Sequence, residues 1–554
     1  MTYRAPVKDI AFALKVVGFD AVAEAHGGVD QDLTDAVLGG AAQLAEGVLD
    51  PINRVGDQVG ARMENGRVVS PPGFKEAYRQ FAEGGWTGLA ADETWGGQGL
   101  PKALSLAVFE TFHSANMAFS LCPTLSEGAM EALAAHGSDE IKALYLPKIV
   151  SGEWPATMNL TEPQAGSDLG LVRTQAVSDG EGGYRLTGEK IFITWGDHDL
   201  SDNIVHLVLA RTPDAPAGVK GISLFVAPAV KANGEHNALR AGSIEHKLGI
   251  HASPTCVMLF DGAEAQLVGQ AGQGLAHMFT MMNAARVNVG MQGVGIAERA
   301  YQRAYAYALD RKQSRSVWTG EAPAPIFDHP DIRRRLMLTK AKIEAARMIC
   351  LACAVAADLG HTGDAAQALR GEILTPIAKA WSTELGMEAA SEGIQIHGGM
   401  GFIEETGAAQ HYRDARIAPI YEGTNAIQAL DLAGRKLGMA DGAGMKSLCA
   451  EMAGGLCGFD AGLHEGLRSG VAALETATAW MIEKRGSADN LAGAWPYLML
   501  AGDVVGGWML ARAAEADTNR LGLAKLYADH VLAAAPARLA AVQSGAALLE
   551  GWRG

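Results

Sequence analysis

Glu422 is a carboxylate whose surroundings in the sequence would suit a general base. It follows two bulky apolar residues, Ile420 and Tyr421, and it lies just ahead of a segment with helical spacing. A carboxylate in apolar surroundings has its pKa raised towards neutrality once a bound ligand excludes water, and such a group can accept a proton near neutral pH. The alternative interpretation is that Glu422 only stabilises the dipole of the helix that follows.

A polar loop at residues 158–168, with the sequence MNLTEPQAGSD, could hold a cofactor. Gly166 permits a sharp turn, while Thr161 and Ser167 offer hydroxyl groups beside free backbone N–H groups. Such a loop can bind the edge and the pyrophosphate of a flavin without a helix N-terminus. The alternative interpretation is a polar turn that precedes a strand.

A second candidate contact is a predicted strand that ends in Phe192, Ile193 and Thr194. An aromatic ring close to a hydroxyl suits stacking on, and hydrogen bonding to, a planar heterocycle. The alternative is an aromatic strand end that packs in an ordinary core.

Glycine-rich segments occur twice in predicted helical regions. In the run 395–402, QIHGGMGF, the glycines end a helix and would let a phosphate approach backbone amides. No strand precedes this run, so it is not a dinucleotide-binding fingerprint. The run 290–295, GMQGVG, lies inside a helical stretch and predicts close helix packing. The sequence therefore does not predict a Rossmann domain.

The elements that must position these residues follow the order helical, β, helical, helical. Helical spacing marks residues 32–49, 73–81, 104–118 and 126–136. Short β-branched or aromatic runs at 184–194, 203–211, 221–227 and 256–260 predict strands that pair antiparallel in a small sheet or barrel. Long helical stretches at 278–308, 333–359, 366–396 and about 423–437 predict a four-helix bundle, and a further helical segment follows a Gly-rich break.

Length and charge limit the class of protein. A chain of 554 residues is too long for one compact core, so several domains are expected. A formal net charge of −16 argues against a nucleic acid partner, since phosphate binding needs basic surface.

The cysteines and the apolar runs indicate which cellular compartment the protein is expected to occupy. Cys350 and Cys353 have CxxC spacing but no second Cys/His pair, so they predict core packing and no metal site. The apolar stretch 491–511 contains Pro496 and Asp503, which favour a buried helix over a membrane span. The N-terminus lacks a signal pattern. We therefore expect a cytoplasmic protein without membrane insertion.

Taken together, the candidate segments resemble the acyl-CoA dehydrogenase family. TEPQAGSD, the strand ending in FIT, QIHGGMGF, and RDARI followed by YEGTN match the motifs of that family in the same order. Residues 93–99, 282–286 and 311–313 match further family positions. The resemblance extends over roughly residues 74–437, and this many ordered matches outweighs the alternative interpretation of each single segment.

The resemblance implies a fold that is α+β and mainly α. It places a helical N-terminal domain at 1–155, a middle antiparallel β domain at 156–274 and a C-terminal four-helix bundle at 275–437, with FAD between the last two. Residues 438–554 would form an additional helical domain outside the common core.

The resemblance also implies which residues bind FAD. Residues of the middle domain would contact the flavin of the same subunit: Leu160, Thr161, Gly166, Ser167, Phe192 and Thr194. Residues of the bundle would bind the FAD of a neighbouring subunit, which implies a homodimer or a dimer of dimers: Arg311, Gln313, Gln395, Gly398 and Gly399. Thr424 would hold the pyrophosphate region. The family often has Trp where Phe192 stands.

The implied reaction is the α,β-dehydrogenation of an acyl-CoA thioester. Glu422 would remove the α proton while the β hydrogen leaves as hydride to flavin N5, and electron-transfer flavoprotein would reoxidise the flavin. Ser167, Arg286, Tyr421 and Gly423 would contact the substrate. Asn283 replaces an acidic residue common in relatives, which leaves the CoA contacts open.

Features outside the common core indicate the acyl group. The N-terminal YRAP segment and residues 438–554 resemble a larger bacterial branch that includes dehydrogenases of 3-(methylthio)propanoyl-CoA, from dimethylsulfoniopropionate breakdown. Branch members also accept straight-chain acyl-CoAs, and a methylthio group is about as large and apolar as an ethyl group. A short- or medium-chain dehydrogenase of β-oxidation therefore remains the alternative. An acyl-CoA oxidase fits less well because oxidases of this kind are usually longer. A flavin-containing DNA-binding relative fits less well because the region after Leu437 is acidic.

Overall fold

The computed structural model describes residues 2–553, which form two compact units. We call residues 2–42, 101–114 and 286–553 the bundle unit, and residues 43–100 and 115–285 the barrel unit. The two units are defined by which residues pack together, whereas the four domains expected from the sequence are divided where helices give way to strands, where strands give way to helices, and at the Gly-rich break. Those domain boundaries therefore remain predictions.

The helices and strands are numbered in chain order. The helices are α1 Val7–Val16, α2 Phe19–His26, α3 Gln31–Leu44, α4 Asp50–Val59, α5 Phe74–Glu83, α6 Lys102–His136, α7 Asp139–Val150, α8 Gly274–Asp310, α9 Pro330–His361, α10 Ala365–His397, α11 Ala408–Ala415, α12 Asn425–Asp431, α13 Ala443–Gly454, α14 Ala461–Glu483, α15 Ala488–Ala516, α16 Leu521–His530, α17 Ala535–Gln543 and α18 Ala547–Glu550. The strands are β1 Arg62–Glu64, β2 Arg67–Val69, β3 Ala156–Asn159, β4 Gln175–Ser178, β5 Tyr184–Thr194, β6 Val205–Arg211, β7 Ile222–Pro228, β8 Leu239–Ile244 and β9 Thr255–Val268.

The barrel unit is built on a seven-stranded sheet that closes on itself. The strands β6, β7, β9, β5 and β4 pair in a ring, while β8 pairs with β9 and β3 pairs with β6. Most pairings are antiparallel, as expected, but β3 pairs parallel with β6, and so does Gln175, the first residue of β4. The parallel pairing of β3 with β6 is possible because β4 and β5 lie between them in the chain, and this long connection lets β6 run in the same direction as β3.

Strand β6 is buried on both faces because it separates two cores. Leu207 and Leu209 belong to a core that includes Leu133 and Ile149 of the neighbouring helices. The alternate residues Val208 and Ala210 point into the barrel. The period-two pattern of apolar side chains thus fixes the register of the strand.

The long helices α8 and α10 of the bundle unit pack backbone to backbone. A methyl carbon added at Gly290 would lie 2.6 Å from the carbonyl oxygen of Ala378, and one at Gly293 would clash with the Ser382 carbonyl. The GMQGVG run is therefore a packing surface, as its helical context predicts. This close approach fixes the part of α10 that lies between Ala378 and Ser382.

The apolar stretch at 491–511 forms part of the buried helix α15. Its Asp503 accepts a hydrogen bond from the indole N–H of Trp381 at 2.9 Å. Within residues 2–553, the structure contains no helix that is both long and apolar enough to cross a membrane. Cys350 and Cys353 are buried in α9, where their sulfurs lie 3.5 Å from the hydroxyls of Ser382 and Thr375.

Candidate functional site

Glu422 lies on the loop between α11 and α12 in a strained backbone conformation. Its φ is 55°, in the left-handed region that disfavours residues with a side chain, and Gly423 follows with φ 81°. The hydroxyl of Thr424 caps α12 by accepting from the N–H of Ile427 at 3.2 Å. The amide of Gln428 donates to the carbonyl oxygen of Glu422 at 3.3 Å. The start of α12 thus holds the Glu422 turn in place.

The carboxylate of Glu422 is suited to accept a proton near neutral pH. Burial raises the pKa of Glu422 to about 7, although Arg286 and Lys379 both act to lower it. Among the residues that the structure describes, none donates a hydrogen bond to this carboxylate. Its basicity is therefore set by burial and by two nearby cations, which is the environment that a general base requires.

Arg286 is buried close to this base. Its guanidinium lies 3.6 Å from Asp431, which also pairs with Arg435 at 2.7 Å. Burial lowers the pKa of Arg286, while Asp431 and Glu422 raise it. The side chain thus faces the carboxylates of the bundle unit. The CoA contact that the resemblance implies for Arg286 remains a prediction.

Tyr421, the residue before Glu422, is held in place by a hydrogen bond to helix α8. Its hydroxyl donates a hydrogen bond to the side-chain oxygen of Gln292, which is 1% exposed on α8. The side-chain nitrogen of Gln292 has no hydrogen-bond partner in the described part of the chain. Burial raises the pKa of the Tyr421 phenol well above its usual value, with a further contribution from Glu422, so the phenol stays neutral.

In the barrel unit, the two predicted flavin segments lie side by side. The backbone N–H of Ile191 donates to the carbonyl oxygen of Thr161 at 2.9 Å. The ammonium of Lys190 donates to the Leu160 carbonyl oxygen at 2.9 Å and to the Glu162 carboxylate at 2.8 Å. The loop 160–167 and the strand end 190–194 therefore form one connected surface.

Phe192 occupies a bulge in that surface. The register between β5 and β9 shifts between Lys190 and Ile193, and Phe192 has φ 60° with 58% of its surface exposed. Gly166 and Ser167 are also exposed, and Gly166 has open space where a side chain would stand. A large aromatic ring on strained backbone needs a compensating contact. The surface therefore fits the face of a planar ring such as the flavin of FAD.

Four family models cover most of the chain. They are "Acyl-CoA dehydrogenase, N-terminal domain" at residues 44–153, the middle domain at 157–263, the C-terminal domain at 272–437, and "Acetyl-CoA dehydrogenase C-terminal like" at 445–550. The chain is also 47% identical to the 3-methylmercaptopropionyl-CoA dehydrogenase of Ruegeria pomeroyi, over 94% of this chain and 93% of the relative. The chain belongs to the acyl-CoA dehydrogenase family.

A further relative agrees with this assignment, and a solved structure agrees with the fold. A butyryl-CoA dehydrogenase of Syntrophomonas wolfei is 35% identical over 81% of this chain and 78% of its own length. The structure of Caenorhabditis elegans ACDH-11 in complex with C11-CoA has the same fold, with a TM-score of 0.84 at 20% identity, over 96% of this chain and 92% of that one. As an acyl-CoA dehydrogenase, the protein is an FAD-dependent oxidoreductase that acts on acyl-CoA, so the predicted family, fold class, reaction and cofactor are confirmed.

A second group of predicted acyl-CoA dehydrogenase residues lies exposed on the bundle unit. The side chains of Arg311 and Gln313 are exposed in the loop after α8, and Gln395, Gly398 and Gly399 are exposed at the end of α10. Between the two segments, the rings of Tyr307 and His397 stack with centroids 4.3 Å apart. The stacked rings bring the two exposed segments together.

The residues that support Glu422 from α10 were missed in the sequence. The ammonium of Lys379, which is fully buried, donates to the side-chain oxygen of Asn425 at 2.9 Å. Burial lowers the pKa of Lys379 to about 7, although Glu422 acts to raise it. The available signal was a lysine flanked on both sides by core residues, in the run Ile377–Trp381. A charge at such a position indicates a buried polar contact.

Proposed function

We propose that this acyl-CoA dehydrogenase oxidises 3-(methylthio)propanoyl-CoA to 3-(methylthio)acryloyl-CoA. The observation that carries the proposal is the 47% identity, over nearly the whole of both chains, to a relative named for that substrate. The butyryl-CoA dehydrogenase is less similar, at 35%. The second candidate is a straight-chain acyl-CoA of similar length, which that relative's name supports.

Glu422 is the general base in this proposal and removes the proton from the α carbon. Its pKa of about 7 lets a large fraction of the enzyme carry an ionised carboxylate at neutral pH. The backbone N–H of Glu422 has no acceptor in the described part of the chain, and it would donate to the thioester carbonyl oxygen. That hydrogen bond would stabilise the negative charge that develops as the α proton leaves.

The cofactor supplies the other half of the reaction. Bound FAD provides the acceptor for the β hydrogen, which leaves as hydride. Leu160, Thr161, Gly166 and Ser167 would line the flavin and its pyrophosphate, and Phe192 and Thr194 would contact the ring. Thr424 would approach the pyrophosphate near the base. Ser167, Arg286, Tyr421 and Gly423 would contact the substrate.

A homodimer, or a dimer of dimers, would complete the cofactor site. We propose that Arg311, Gln313, Gln395, Gly398 and Gly399 of a second subunit bind the FAD, and their exposure in the single chain supports this. Light scattering of the holoenzyme should give the mass of two or four chains. A monomer that retains tightly bound FAD would contradict this part of the proposal.

Electron-transfer flavoprotein is the proposed acceptor, in a cytoplasmic setting. Stopped-flow reoxidation distinguishes it from oxygen: the substrate-reduced flavin should reoxidise slowly in air and rapidly on addition of the flavoprotein. Rapid reoxidation by air alone would make the protein an acyl-CoA oxidase.

The substrate is tested by anaerobic bleaching of the flavin absorbance with a matched panel of thioesters. 3-(Methylthio)propanoyl-CoA and pentanoyl-CoA have the same number of chain atoms, so the pair compares sulfur with methylene at constant length. Butanoyl-CoA and octanoyl-CoA test shorter and longer chains. We expect the sulfur compound to bleach the flavin with the largest second-order rate constant. A larger value for pentanoyl-CoA or butanoyl-CoA would support the straight-chain alternative instead.

A further inference from the structure

We propose that Lys379 is a positioning residue of this reaction, and that it acts on Glu422 both through its charge and through the side chain of Asn425. The proposal rests on the proposed role of Glu422 as the base. Lys379 lies outside the sequence motifs on which the resemblance rests, and its hydrogen bond to Asn425 places it beside the loop of the base.

The first part of the case is the way Asn425 fastens the loop. Asn425 is the first residue of α12, three positions after Glu422, and its side chain is buried. Its oxygen accepts from Lys379 at 2.9 Å, and its nitrogen donates to Thr383 at 3.0 Å and to Glu384 at 2.9 Å. All three partners lie on α10. The strained turn at Glu422 is therefore bound at its far end to one helix.

The second part of the case is the charge of Lys379. Its hydrogen-bond partner within the described chain is the neutral amide of Asn425, so no carboxylate neutralises the ammonium by direct contact. The charged groups that face Lys379 and Glu422 are Arg286 and Glu384, and beyond Arg286 lie Asp431 and Arg435. A buried, unneutralised cation acts on nearby anions that can ionise. Of the two carboxylates that raise the pKa of Lys379, Glu422 has the larger effect and Glu384 the smaller.

The consequence for catalysis follows from the sign of that interaction. The base must be ionised to accept the α proton, and a nearby positive charge favours the ionised carboxylate. Lys379 and Arg286 both lower the pKa of Glu422 against the effect of burial. Removing the Lys379 charge should therefore raise the pKa of Glu422 and move the activity to higher pH.

The test is the pH profile of the flavin bleaching rate in single turnovers of the FAD-bound enzyme. With Lys379→Met we expect the midpoint of the rising limb to move up by about 1 pH unit or more, so that bleaching at pH 6.5 slows about tenfold and recovers at alkaline pH. Lys379→Arg, which keeps the charge, should restore the original midpoint. Asn425→Ala should slow bleaching at every pH while the midpoint stays closer to that of the wild type.

Lys436 provides a matched control for the loss of a buried lysine. It is 1% exposed on the side chain, pairs with Glu372, and burial lowers its pKa to about 8, but Glu422 is not among the groups that affect it. Lys436→Met should leave the midpoint unchanged.

Two outcomes decide the proposal. A Lys379→Met enzyme that binds FAD and has a raised midpoint supports it, and one that binds FAD and keeps the wild-type midpoint overturns it. If that variant does not fold, Lys379→Gln, which can still bond to Asn425 without a charge, is tested in the same way against the same two outcomes. Glu422→Gln separates this result from the proposed function: bleaching by that variant at the wild-type rate would refute the base itself, whatever Lys379 does.

Discussion

The loop of Glu422 and the bulge of Phe192 use the same construction for different purposes. Each carries a large side chain on left-handed backbone, with φ 55° and 60°, and each lies beside a buried lysine. In the bundle unit, Lys379 bonds to the neutral amide of Asn425. In the barrel unit, Lys190 bonds to the carboxylate of Glu162 at 2.8 Å.

The difference in partner separates a structural lysine from an electrostatic one. Glu162 also accepts hydrogen bonds from the backbone N–H groups of Arg173 and Thr174 and from the Thr174 hydroxyl, so its negative charge is stabilised by these groups together with Lys190. An ion pair of this kind stabilises the local structure, and its two opposite charges have little electrostatic effect on other groups. Lys379 has no such counter-ion in contact, and its charge remains effective at Glu422. The hydrogen-bond partner of a buried lysine therefore decides whether its charge acts on other groups.

The largest expected effect follows removal of the paired lysine. Lys190→Met leaves Glu162 buried without its counter-ion and should reduce the free energy of unfolding by about 3–5 kcal/mol. Urea denaturation followed by tryptophan fluorescence measures this. The control is Lys148→Met, which removes an exposed pair with Glu153 and should change stability by less than about 1 kcal/mol. Equal decreases in the free energy of unfolding of the two variants would contradict the structural role assigned to Lys190.

Acid should weaken the same pair in a defined pH window. Burial raises the pKa of Glu162, but Lys190 and the hydrogen bonds lower it overall to about 2. A carboxyl with a lowered pKa contributes stability above its unfolded pKa, and that contribution is lost as pH falls through the folded value. The stability difference between wild type and Glu162→Gln should thus be complete above pH 4.5, the ordinary Glu value, and shrink towards pH 2. A difference that is independent of pH would contradict the ion pair.

Phe192 should contribute to cofactor affinity and little to folding. Phe192→Ala removes a ring contact worth about 0.5–1.5 kcal/mol, so FAD should dissociate about 2- to 12-fold more readily. Fluorescence titration of the apoprotein with FAD measures the change. Leu248→Ala removes another exposed apolar side chain of the barrel unit, 60% exposed, and should leave the affinity unchanged. A loss of folding stability in Phe192→Ala without weaker FAD binding would place the ring in the core instead.

The smallest expected effect is the stability change on removing the unpaired lysine. Within residues 2–553, no carboxylate is in direct contact with Lys379, so Lys379→Met leaves no buried anion without its counter-ion. The substitution also removes a buried ammonium group, and burial has already lowered the pKa of that group to about 7. The free energy of unfolding should therefore change by only about 1 kcal/mol, well below the change for Lys190→Met. A loss as large as that of Lys190→Met would show that the two lysines have the same role.

Local patterns predicted the long helices well. The expected helix at 366–396 is Ala365–His397, and the one at 278–308 is Gly274–Asp310, because apolar spacing over many turns is a strong signal. The region 104–136 was less predictable. Two helices on either side of residues 119–125 are expected, and two helical segments are present, but the break between them lies at Asn116, where φ is −156° and ψ is 88°. The second segment continues through Pro123. The side chain of Asn116 caps the restart by accepting from the N–H of Phe119 at 3.1 Å.

Contacts between distant segments could not be predicted. Lys379 looks like an ordinary helical lysine until the helix is seen to be buried, and its bond to Asn425 joins residues 46 positions apart. The parallel pairing of β3 with β6 likewise depends on register between strands that are not neighbours in the chain. Glu422 became a candidate base through its motif context, whereas its raised pKa is a property of the folded bundle unit.

The central claim is that Glu422 removes the α proton, and Glu422→Gln tests it most directly. The variant keeps the size and polarity of the side chain, so FAD should remain bound and the flavin spectrum should be that of the wild type. Anaerobic mixing with 3-(methylthio)propanoyl-CoA should then bleach the flavin about 10²- to 10⁴-fold more slowly than in the wild type. Bleaching at the wild-type rate by the FAD-loaded variant would contradict the account.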